Sequence, residues 1–540
     1  MPVPRLRSAV LALAPLALVA AVVPGVSAGT TTTTVDPVQL HQRLVGAAMH
    51  AGVSDDYEAP LPPVREQADA EAPNIVLITT DDQTAADMRF MPRTRRLLGR
   101  AGATFEDAIS PHPLCCPARA EIVSGQFAQN NGVHSNGGEY GGYRRLKDPH
   151  NTLPKWLYES GYHTGMVGKF ITHWKPQRDG VPTGWEWFDV PRTSTFGYYD
   201  FKMFTQGVKQ RYNDGQAYSS TYTTDRTVEL IDSWSQGRDP EQPDAAPEAD
   251  PKPFFIWSSY FAPHGECGEG SCKNGPTPER KYADARRNAK APSLKKRSYD
   301  APQHRPNPLV KGKPVASRGH TQKFFLDRIR SLQSVDEGVA RIVASLREAG
   351  ELSNTVIMFT SDNGYLLGEH RYSGKIVPYE EALRVPLLVR GPGIERSRPT
   401  WPATTVDLAP TIASLAGATP GRLQDGRDLV PALRGGARPA GDTTLVQAGA
   451  RSARDGTGAW MYRGVRTADY TFTKWKRRSG RPFAELFDRR ADPQQIRNVA
   501  GQPRYRKVRR ELERRLSALN RCGGASACFR DFGPVPRPRR

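Results

Sequence analysis

The chain has 540 residues, with 76 basic and 56 acidic side chains that give a formal net charge of +20. This length exceeds one ordinary hydrophobic core and predicts a large domain together with a smaller one. After the N-terminal residues no segment is long and apolar enough to cross a bilayer, so we expect no membrane span.

Residues 1–28 have the pattern of a secretory signal peptide. Two arginines precede an apolar stretch, Ala9–Val23, and a small-residue cleavage site follows at Val26-Ser27-Ala28. The apolar stretch is short for a membrane span, and no cysteine follows it that could carry a lipid. We therefore predict that the chain is secreted, and that residues 29–71 form a poorly ordered lead-in to the first domain.

Strand-like and helix-like segments alternate from Asn74 onward. Helical spacing of apolar residues is present in Leu153–Glu159, Asp225–Trp234 and Phe324–Ala349. Alternation of this kind predicts an α/β fold, with a mainly parallel sheet and helices on both of its faces.

Four of the strand-like segments are followed by charged or coordinating side chains. In chain order these are Asn74–Thr80 before Asp81 and Asp82, Thr164–Val167 before Lys169, Phe254–Trp257 before His264, and Thr355–Thr360 before Asp362 and Asn363. Ligands of open α/β sheets bind at the carboxyl ends of the strands. A single polar residue after a strand is usually a turn residue, but four such segments in one chain predict a shared site.

A further pattern lies between the first two of these segments. Residues 111–125 contain the pattern Cys115-x-Pro117-x-Arg119. Taken alone, the pattern is typical of a helix start, because Pro117 suits the first turn of a helix. Together with the four strand ends it resembles the signature of type I sulfatases, in which this cysteine is oxidised to formylglycine.

The resemblance to sulfatases covers roughly Ala72 to Leu433 and resumes at Ala484–Pro493. Within the family the chain looks most like the glucosamine-6-sulfatase and bacterial arylsulfatase branches. The resemblance implies an alkaline-phosphatase-like catalytic domain over residues 72–420, with a mainly parallel sheet sandwiched by helices. It also implies a smaller C-terminal α+β subdomain over residues 421–540, in which an antiparallel sheet packs with a helix at Arg504–Leu519.

The candidate metal ligands are Asp81, Asp82, Asp362 and Asn363, which supply only oxygen atoms. Such hard ligands suit calcium or magnesium and differ from the His and Cys ligands of zinc sites. Each acid alone could be a turn or cap residue. The resemblance implies the calcium site of the family, with the converted Cys115 as a further ligand; calcium is our first expectation and magnesium the second.

The resemblance also implies a reaction in which the hydrated aldehyde at Cys115, made by a formylglycine-generating enzyme, is the nucleophile. Sulfate is transferred to one hydroxyl of this hydrate, and the second hydroxyl then expels it. In this scheme Asp362 activates the attacking hydroxyl and Arg119 braces the hydrated aldehyde. A helix start at Cys115 would add free backbone N–H groups for the sulfate.

The remaining catalytic residues are expected to be Lys169, Lys375 and His264. By resemblance the two lysines hold the sulfate oxygens, and His264 together with Lys375 protonates the leaving alcohol. One position departs from the family, because many sulfatases have a second histidine where this chain has Ile171. His173 could replace that histidine, although a simple surface histidine is the alternative interpretation.

The six cysteines are consistent with export. Cys267 and Cys272 are close neighbours in sequence, as are Cys522 and Cys528, and we predict one local disulfide within each pair. Metal binding by these pairs is the alternative, but neither pair has a second cluster of Cys or His nearby.

Two segments hold the whole excess of positive charge. Lys273–Lys323 has 14 basic and 3 acidic residues, and Gly501–Arg540 has 12 basic and 3 acidic residues. Basic segments of this kind can be merely solvated. Because the first begins nine residues after His264, however, we predict that it borders the active site and steers an anionic substrate, with Lys295–Arg297 among the steering residues. Since the chain is expected to be exported, no nucleic-acid partner is predicted.

These features together imply a secreted enzyme that hydrolyses sulfate esters to an alcohol and inorganic sulfate. A sulfated saccharide or an aryl sulfate is the expected substrate. One alternative is a phosphonate or phosphate-ester hydrolase of the same superfamily, although those enzymes usually have a histidine at the position of Asn363. The other alternative is a catalytically dead glycan-binding protein.

Overall fold

A computed structural model of the chain describes residues 72–191, 197–242, 244–248, 251–266, 275–301, 307, 309–311, 317–452, 459–476 and 482–539. The predicted signal peptide, the predicted lead-in and the Cys267–Cys272 pair lie outside the described residues.

The described strands are β1 (Asn74–Thr80), β2 (Ala103–Thr104), β3 (Ala108–Ile109), β4 (His163–Gly168), β5 (Trp187–Pro191), β6 (Phe201–Thr205), β7 (Val208–Tyr212), β8 (Phe254–Ser259), β9 (Thr355–Ser361), β10 (Leu366–Leu367), β11 (Ser373–Gly374), β12 (Leu387–Arg390), β13 (Ala403–Thr404), β14 (Thr444–Gly449), β15 (Trp460–Arg466), β16 (Tyr470–Trp475) and β17 (Phe483–Asp488). The described α-helices are α1 (Pro92–Thr94), α2 (Cys115–Ser124), α3 (Ala128–Asn131), α4 (Leu153–Glu159), α5 (Pro176–Asp179), α6 (Ser219–Ser235), α7 (Arg318–Glu348), α8 (Glu380–Leu383), α9 (Leu408–Leu415), α10 (Val430–Leu433), α11 (Arg506–Leu519) and α12 (Ala525–Cys528). Short 3-10 segments lie at Ala85–Phe90, Tyr143–Arg145, Arg280–Tyr282, Pro292–Lys295, Glu351–Asn354, Thr405–Asp407 and Pro503–Tyr505, and a π-helical segment at Arg95–Gly99.

The largest sheet has the strand order β2-β12-β9-β1-β8-β4-β5-β6-β7. Strands β9, β1, β8, β4 and β5 pair in parallel, and the strands at both edges pair antiparallel. Every residue of β1, β8 and β9 is buried, as expected for central parallel strands covered on both faces. The predicted mainly parallel sheet is therefore confirmed.

Helices cover both faces of this sheet, and strand β1 shows how the two cores are divided. Its residues alternate, so that Ile75 and Leu77 pack in one core while Val76 and Ile78 pack in the other. The first core contains residues of α2, α4 and α9, and the second contains residues of α6 and α7. Each large aliphatic side chain buried in this way contributes about 1.5–3 kcal/mol.

The three predicted helices correspond to α4, to the C-terminal part of α6 and to most of α7. Helix α7 begins earlier than the apolar spacing suggested, because Ser317 caps it by accepting a hydrogen bond from the backbone N–H of His320. Gly338 allows α7 to approach its neighbours closely: a Cβ there would lie 2.4 Å from Thr224 Oγ1 and 2.6 Å from Tyr260 Oη.

The C-terminal part contains the second large sheet, with the antiparallel order β14-β15-β16-β17. One face of this sheet packs with α11 in a core that includes Leu445, Phe472 and Leu512. The other face packs against Val377 and Tyr379, which follow β11 in the catalytic part. The predicted antiparallel subdomain with its helix is confirmed, and its boundary after residue 420 stays a prediction.

Two further observations concern compartment. The structure contains the Cys522–Cys528 disulfide, while Cys115 and Cys116 are free and buried. Within the described residues, no helix combines the length and the apolar character that a membrane crossing requires.

Candidate active site

The carboxyl ends of β4, β8, β1 and β9 meet at one edge of the largest sheet. These strands are neighbours in the order β9-β1-β8-β4, and all of them run parallel. The side chains that follow them are Asp81 and Asp82 after β1, Lys169 after β4, His264 after β8, and Asp362 and Asn363 after β9. The four strand ends that were expected to share a site therefore lie side by side in the fold.

The loops after β1 and β9 are held together by their acidic residues. The backbone N–H of Asp82 donates to Asp362 Oδ1 at 3.3 Å, and Asn363 Nδ2 donates to Asp82 Oδ1 at 2.5 Å. Asp82 has a φ of 69°, a left-handed conformation in which Asp and Asn are enriched among non-glycine residues. All three side chains are buried, so the two carboxylate charges lie outside bulk water.

The carboxylate and amide oxygens of this cluster fit a hard divalent cation. Asp81, Asp82, Cys115 and His264 each offer one ligand atom, and these atoms lie within 4.8 Å of one another. Asn363 Oδ1 is buried and accepts no hydrogen bond from a described residue. An unsatisfied amide oxygen beside buried carboxylates is the arrangement in which calcium or magnesium replaces a missing donor. His264 belongs to this group as well, which the sequence had not suggested.

Cys115 is the first residue of α2 and lies within the same cluster. Its Sγ is 3.5 Å from Asp81 Oδ1 and accepts a hydrogen bond from Lys375 Nζ at 2.7 Å. Burial raises the pKa of the Cys115 thiol to about 12, and the nearby ammonium of Lys375 offsets only part of this effect. The backbone N–H of Cys116 is already used by Asn136 Oδ1 at 2.9 Å, so fewer N–H groups are free here than expected.

Arg119 lies one helical turn after Cys115 and is fully buried. Its Nε donates to Asp362 Oδ2 at 2.9 Å, and its Nη1 donates to Ser259 Oγ at 2.6 Å and to the backbone oxygen of Lys169. None of the hydrogen bonds among the described residues joins its guanidinium to the Cys115 side chain. Arg119 thus braces the groups around the cluster, and its expected contact with the hydrated aldehyde at position 115 stays a prediction.

Ser259 is a residue of the site that sequence reasoning missed. As the last residue of β8 it lies beside Thr79 of β1 and Gly168 of β4. Its hydroxyl accepts from Arg119 and donates to the backbone oxygen of Lys169 at 2.7 Å. Ser259 therefore links the helix that carries Cys115 to the loop that carries Lys169.

A second residue that sequence reasoning missed is Arg328 of α7, which is also buried. Its Nη2 donates to the backbone oxygen of Asp82 at 2.6 Å and to Asp87 Oδ2 at 3.1 Å. The hydrogen bond to Asp82 helps to hold this residue in its left-handed conformation. The sequence marks Arg328 only as one basic residue in a long helix.

The two lysines differ in their electrostatic surroundings. Lys169 Nζ contacts Asp81 Oδ2, but burial and the neighbouring ammonium of Lys375 lower the pKa of Lys169 to about 7. Burial would also lower the pKa of Lys375, yet Asp82 and its other anionic neighbours outweigh burial and raise it. Lys375 therefore holds its proton firmly, while Lys169 can lose its proton near neutral pH.

His264 follows the cis peptide bond between Ala262 and Pro263. Its Nδ1 is 2.7 Å from the backbone oxygen of Gly265, and its Nε2 is 3.7 Å from Asp82 Oδ2. The contact with a carbonyl oxygen assigns the proton to Nδ1. Burial, together with Lys375 and Lys169, lowers the pKa of His264 well below its usual value, so the ring is neutral. A neutral ring with this tautomer presents an acceptor at Nε2, and the role of His264 as a proton donor stays a prediction.

The structure does not bring His173 to the cluster. This residue is exposed, and its ring lies against backbone, so that a Cβ at Gly137 would lie 2.5 Å from its Nε2. Partial burial and the nearby Arg451 lower the pKa of its ring. Ile171, at the position of the second family histidine, is buried in the core of the large sheet. The surface-histidine interpretation agrees with this placement.

The first basic segment borders a cavity of about 410 Å³, which is also lined by the segment that begins at Thr84. The cavity is lined by residues of the 84–87 segment, the first basic segment, α7 and the 365–384 region: Thr84, Ala85, Ala86, Asp87, Pro292, Ser293, Lys296, Phe325, Tyr365, Leu367, Glu369, Glu380, Glu381 and Arg384. Lys296 does not act as a free cation there, because its Nζ donates to Glu369 Oε1 at 2.8 Å and to Glu381 Oε1 at 2.7 Å. The expectation that Lys296 steers a substrate is therefore corrected, while Lys295 and Arg297 are exposed.

Comparison with known families agrees with this geometry. Residues 73–418 match the family model described as Sulfatase. Residues 368–522 match the model described as N-sulphoglucosamine sulphohydrolase, C-terminal.

Curated relatives and solved structures show the same similarity. The chain is 33% identical over 376 residues to the extracellular sulfatase SULF-1 homolog of Drosophila melanogaster, covering 67% of this chain and 31% of that protein. It is 32% identical over 391 residues to the N-acetylglucosamine-6-sulfatase of Homo sapiens, covering 68% of this chain and 65% of that protein. The chain thus spans less than two thirds of the length of either relative. A solved structure titled BT4656 in complex with its substrate D-glucosamine-2-N,6-O-disulfate superposes with a TM-score of 0.65 at 22% identity, covering 83% of this chain and 97% of that one.

Proposed function

This chain belongs to the sulfatase family, and on that basis we propose that it is a secreted hydrolase of sulfate esters, acting on sulfated saccharides. The observation that carries this proposal is the set of charges around Cys115. Lys375 contacts the sulfur atom, Lys169 contacts Asp81, and both lysines are part of one buried cluster. Two lysine side chains beside a nucleophile position suit the anionic oxygens of a sulfate ester.

We further propose that Cys115 is converted to formylglycine by a formylglycine-generating enzyme. The thiol itself would be a weak nucleophile, because with a pKa of about 12 it stays protonated at neutral pH. The hydrated aldehyde would supply a hydroxyl that attacks the sulfur of the ester. Asp362, held in place by Arg119 through its Oδ2, would accept the proton of that hydroxyl.

The proposed metal is calcium, with magnesium as the second choice. Asp81, Asp82, Asp362 and Asn363 would hold it together with position 115. When bound, the ion would neutralise part of the carboxylate charge and polarise the oxygen at position 115. The unpaired Oδ1 of Asn363 supports this assignment, because a buried amide oxygen needs a partner.

The leaving alcohol needs a proton, and Lys375 is the group in this arrangement that carries one. Its pKa is raised, so it carries a proton at neutral pH, whereas His264 is neutral and presents an acceptor at Nε2. Lys169 would balance the charge of the sulfate oxygens while it is protonated. His264 would orient the ester through its position beside Asp82.

The proposals for the substrate class and the compartment are supported by the named relatives and by the N-terminal sequence, and not by the cluster. A human relative is named N-acetylglucosamine-6-sulfatase, and one solved structure holds a sulfated glucosamine. We therefore propose a saccharide with a sulfated amino sugar as the substrate. The signal-peptide pattern of residues 1–28 and the extracellular sulfatase named among the relatives support export.

The test compares an aryl sulfate with the matched aryl phosphonate, and N-acetylglucosamine-6-sulfate with its unsulfated form as a blank. We expect sulfate release from both sulfate esters and slow or no turnover of the phosphonate. Cys115→Ala should lower kcat by about 10⁴-fold or more, whereas Cys116→Ala, which changes the adjacent buried thiol, should retain most activity. Mass spectrometry of the peptide spanning residue 115 reports the modification. Preference for the phosphonate, or an intact Cys115 thiol in fully active enzyme, would refute the proposal.

A further inference from the structure

Helix α11 separates an apolar face from a basic face. Its buried residues Val508, Leu512, Leu516 and Leu519 pack into the core below the C-terminal sheet. At 100° per residue, the opposite side of the helix carries four basic residues within an arc of about 100°. These residues, which we call the basic stripe, are all exposed: Arg506, Lys507, Arg510 and Arg514.

The acidic residues of α11 pair with one member of the stripe and with cations outside it. Glu511 pairs with Arg514 and with the buried Arg515. Glu513 pairs with Arg509 and with Lys474 of β16. Three members of the stripe, Arg506, Lys507 and Arg510, make no ion pair within the described part of the chain. The stripe therefore presents positive charge that the fold itself does not neutralise.

The C-terminal tail adds to this charge and is fixed in place beside the helix. Arg515 Nη2 donates to the backbone oxygen of Gly533 at 2.5 Å, and the backbone N–H of Arg539 donates to the backbone oxygen of Arg504 at 3.1 Å. These contacts bring the exposed Arg539 to the start of α11, close to the stripe. We call the stripe together with Arg504, Arg537 and Arg539 the basic surface.

The basic surface is separated from the active site by the C-terminal sheet. Val377 and Tyr379, just after Lys375, pack on one face of that sheet, and α11 packs on the other. Each packed layer is about 10 Å thick, whereas charge is screened over about 8 Å at physiological ionic strength. The basic surface therefore cannot act through its field on an ester bound at Cys115, and any partner must contact it directly.

We infer that the basic surface binds a sulfated polysaccharide chain at a place apart from the active site, an inference that relies on the proposed action on sulfated saccharides. The type of cation favours sulfate groups as the partner. Of the 12 basic residues in Gly501–Arg540, 11 are arginine, compared with 6 of 14 in Lys273–Lys323. The planar guanidinium can donate two parallel hydrogen bonds to a sulfate, which a lysine cannot do. Binding at this surface would hold a long substrate on the enzyme between successive cleavages.

The test uses the full chain and measures binding of dextran sulfate, with unsulfated dextran as the blank. The variant Arg506→Gln/Lys507→Gln/Arg510→Gln removes the three unpaired charges of the stripe. The matched control, Arg95→Gln/Arg96→Gln/Arg100→Gln, removes three exposed arginines that make no ion pair in the described ranges. We expect the stripe variant to bind dextran sulfate about tenfold more weakly at low salt, with a shallower dependence on salt concentration. Its kcat/KM for a small aryl sulfate should match the wild type.

Three outcomes would overturn the inference: unchanged binding by the stripe variant, an equal loss in the control, or tighter binding to a DNA duplex than to dextran sulfate at equal charge. Unchanged kcat/KM on the aryl sulfate shows that the variant is folded. The proposed function fails separately, because an enzyme that releases no sulfate from any ester can still bind dextran sulfate through the stripe.

Discussion

The active-site cluster and the basic surface hold charges in opposite environments. At the cluster, Asp81, Arg119 and Asp362 have no exposed surface and contact charged partners. On α11, Arg506 and Arg510 are exposed and make no ion pair in the described residues. Two unit charges 4 Å apart interact by about 1 kcal/mol in bulk water and by about 4 kcal/mol at an effective dielectric constant of about 20. Substitutions at the cluster should therefore have large effects that salt barely changes, and substitutions at exposed cations should have small effects that salt abolishes.

The largest expected effect comes from Asp81→Ala. Removing this carboxylate deletes a proposed metal ligand and the contact between Asp81 and Lys169. We expect loss of bound calcium and a fall in kcat of about 10³-fold or more, since a metal supplies several kcal/mol of transition-state stabilisation. Elemental analysis and turnover of an aryl sulfate measure the two losses.

The control for Asp81→Ala is Asp336→Asn. Asp336 is buried as well, but it accepts hydrogen bonds from the backbone N–H groups of Arg93 and Thr94, away from the cluster. The Asp336→Asn substitution should lower the melting temperature and leave the bound calcium intact. Stoichiometric zinc in the active wild type would overturn the assignment of the metal.

Ser259→Ala should have the next largest effect. The change removes the hydroxyl that joins Arg119 to the backbone oxygen of Lys169. Because misplacement of catalytic groups by fractions of an ångström is costly, we expect kcat to fall about tenfold with little change in KM. Steady-state kinetics on an aryl sulfate provide the measurement.

Ser258→Ala is the matched control for Ser259→Ala. Ser258 is buried in the same strand, but its hydroxyl accepts from Thr227 on the opposite face of the sheet. It should change stability and leave kcat near the wild-type value. Ser259→Thr should restore activity because it keeps the hydroxyl. Equal losses in Ser258→Ala and Ser259→Ala would mean that Ser259 has only a structural role.

The comparison of Ser259 with Asp81 also shows what the sequence could predict. Asp81 follows an apolar strand, and an acid in that position marks the ligand edge of a parallel sheet. Ser259 ends its strand too, but a serine there has no local pattern that separates a packed hydroxyl from a functional one. Its role depends on Arg119, which is 140 residues away in the chain.

The neutralisation of Lys296 was missed for the same physical reason. Its partners Glu369 and Glu381 lie 73 and 85 residues further along the chain. Composition reveals a basic segment, but only the tertiary fold decides which of its cations are neutralised. The α/β fold was easier to predict, because strand and helix periodicities are local and repeat many times.

The active-site cluster and the basic surface should also differ in how their activities depend on pH. Burial lowers the pKa of Lys169 to about 7, so this residue is positively charged below that pH and neutral above it. We expect kcat/KM for an aryl sulfate to decline as the pH rises above about 7, by up to about tenfold per pH unit. Dextran sulfate binding to the basic surface should stay constant from about pH 6 to about pH 9, because arginine keeps its proton there.

Lys169→Arg serves as the control for this assignment, since a guanidinium holds its charge over the whole range. The alkaline decline should move to higher pH in that variant, even if its activity at the optimum is lower. A wild-type kcat/KM that stays flat from about pH 6 to about pH 9 would show that Lys169 does not titrate there.

The smallest effect is expected at the first basic segment, where paired and unpaired cations are neighbours. Lys295 and Arg297 are exposed and should attract a sulfated oligosaccharide only through a screened field. Neutralising both, as Lys295→Gln/Arg297→Gln, should raise KM for the oligosaccharide about twofold to threefold at low salt, while kcat stays constant. Added salt should remove this difference, and KM for a small aryl sulfate should change less.

Lys296→Gln should behave differently from Lys295→Gln/Arg297→Gln, because Lys296 pairs with two glutamates instead of facing a substrate. Burial already raises the pKa of Glu369, and removing its cation would leave two acids close together. We therefore expect a lower melting temperature at neutral pH, with a loss that salt does not reverse and little effect on the salt dependence of KM. A salt-dependent change of KM in Lys296→Gln equal to that in Lys295→Gln/Arg297→Gln would contradict this. Lys296 would then steer the substrate in the same way as its neighbours, despite its ion pairs.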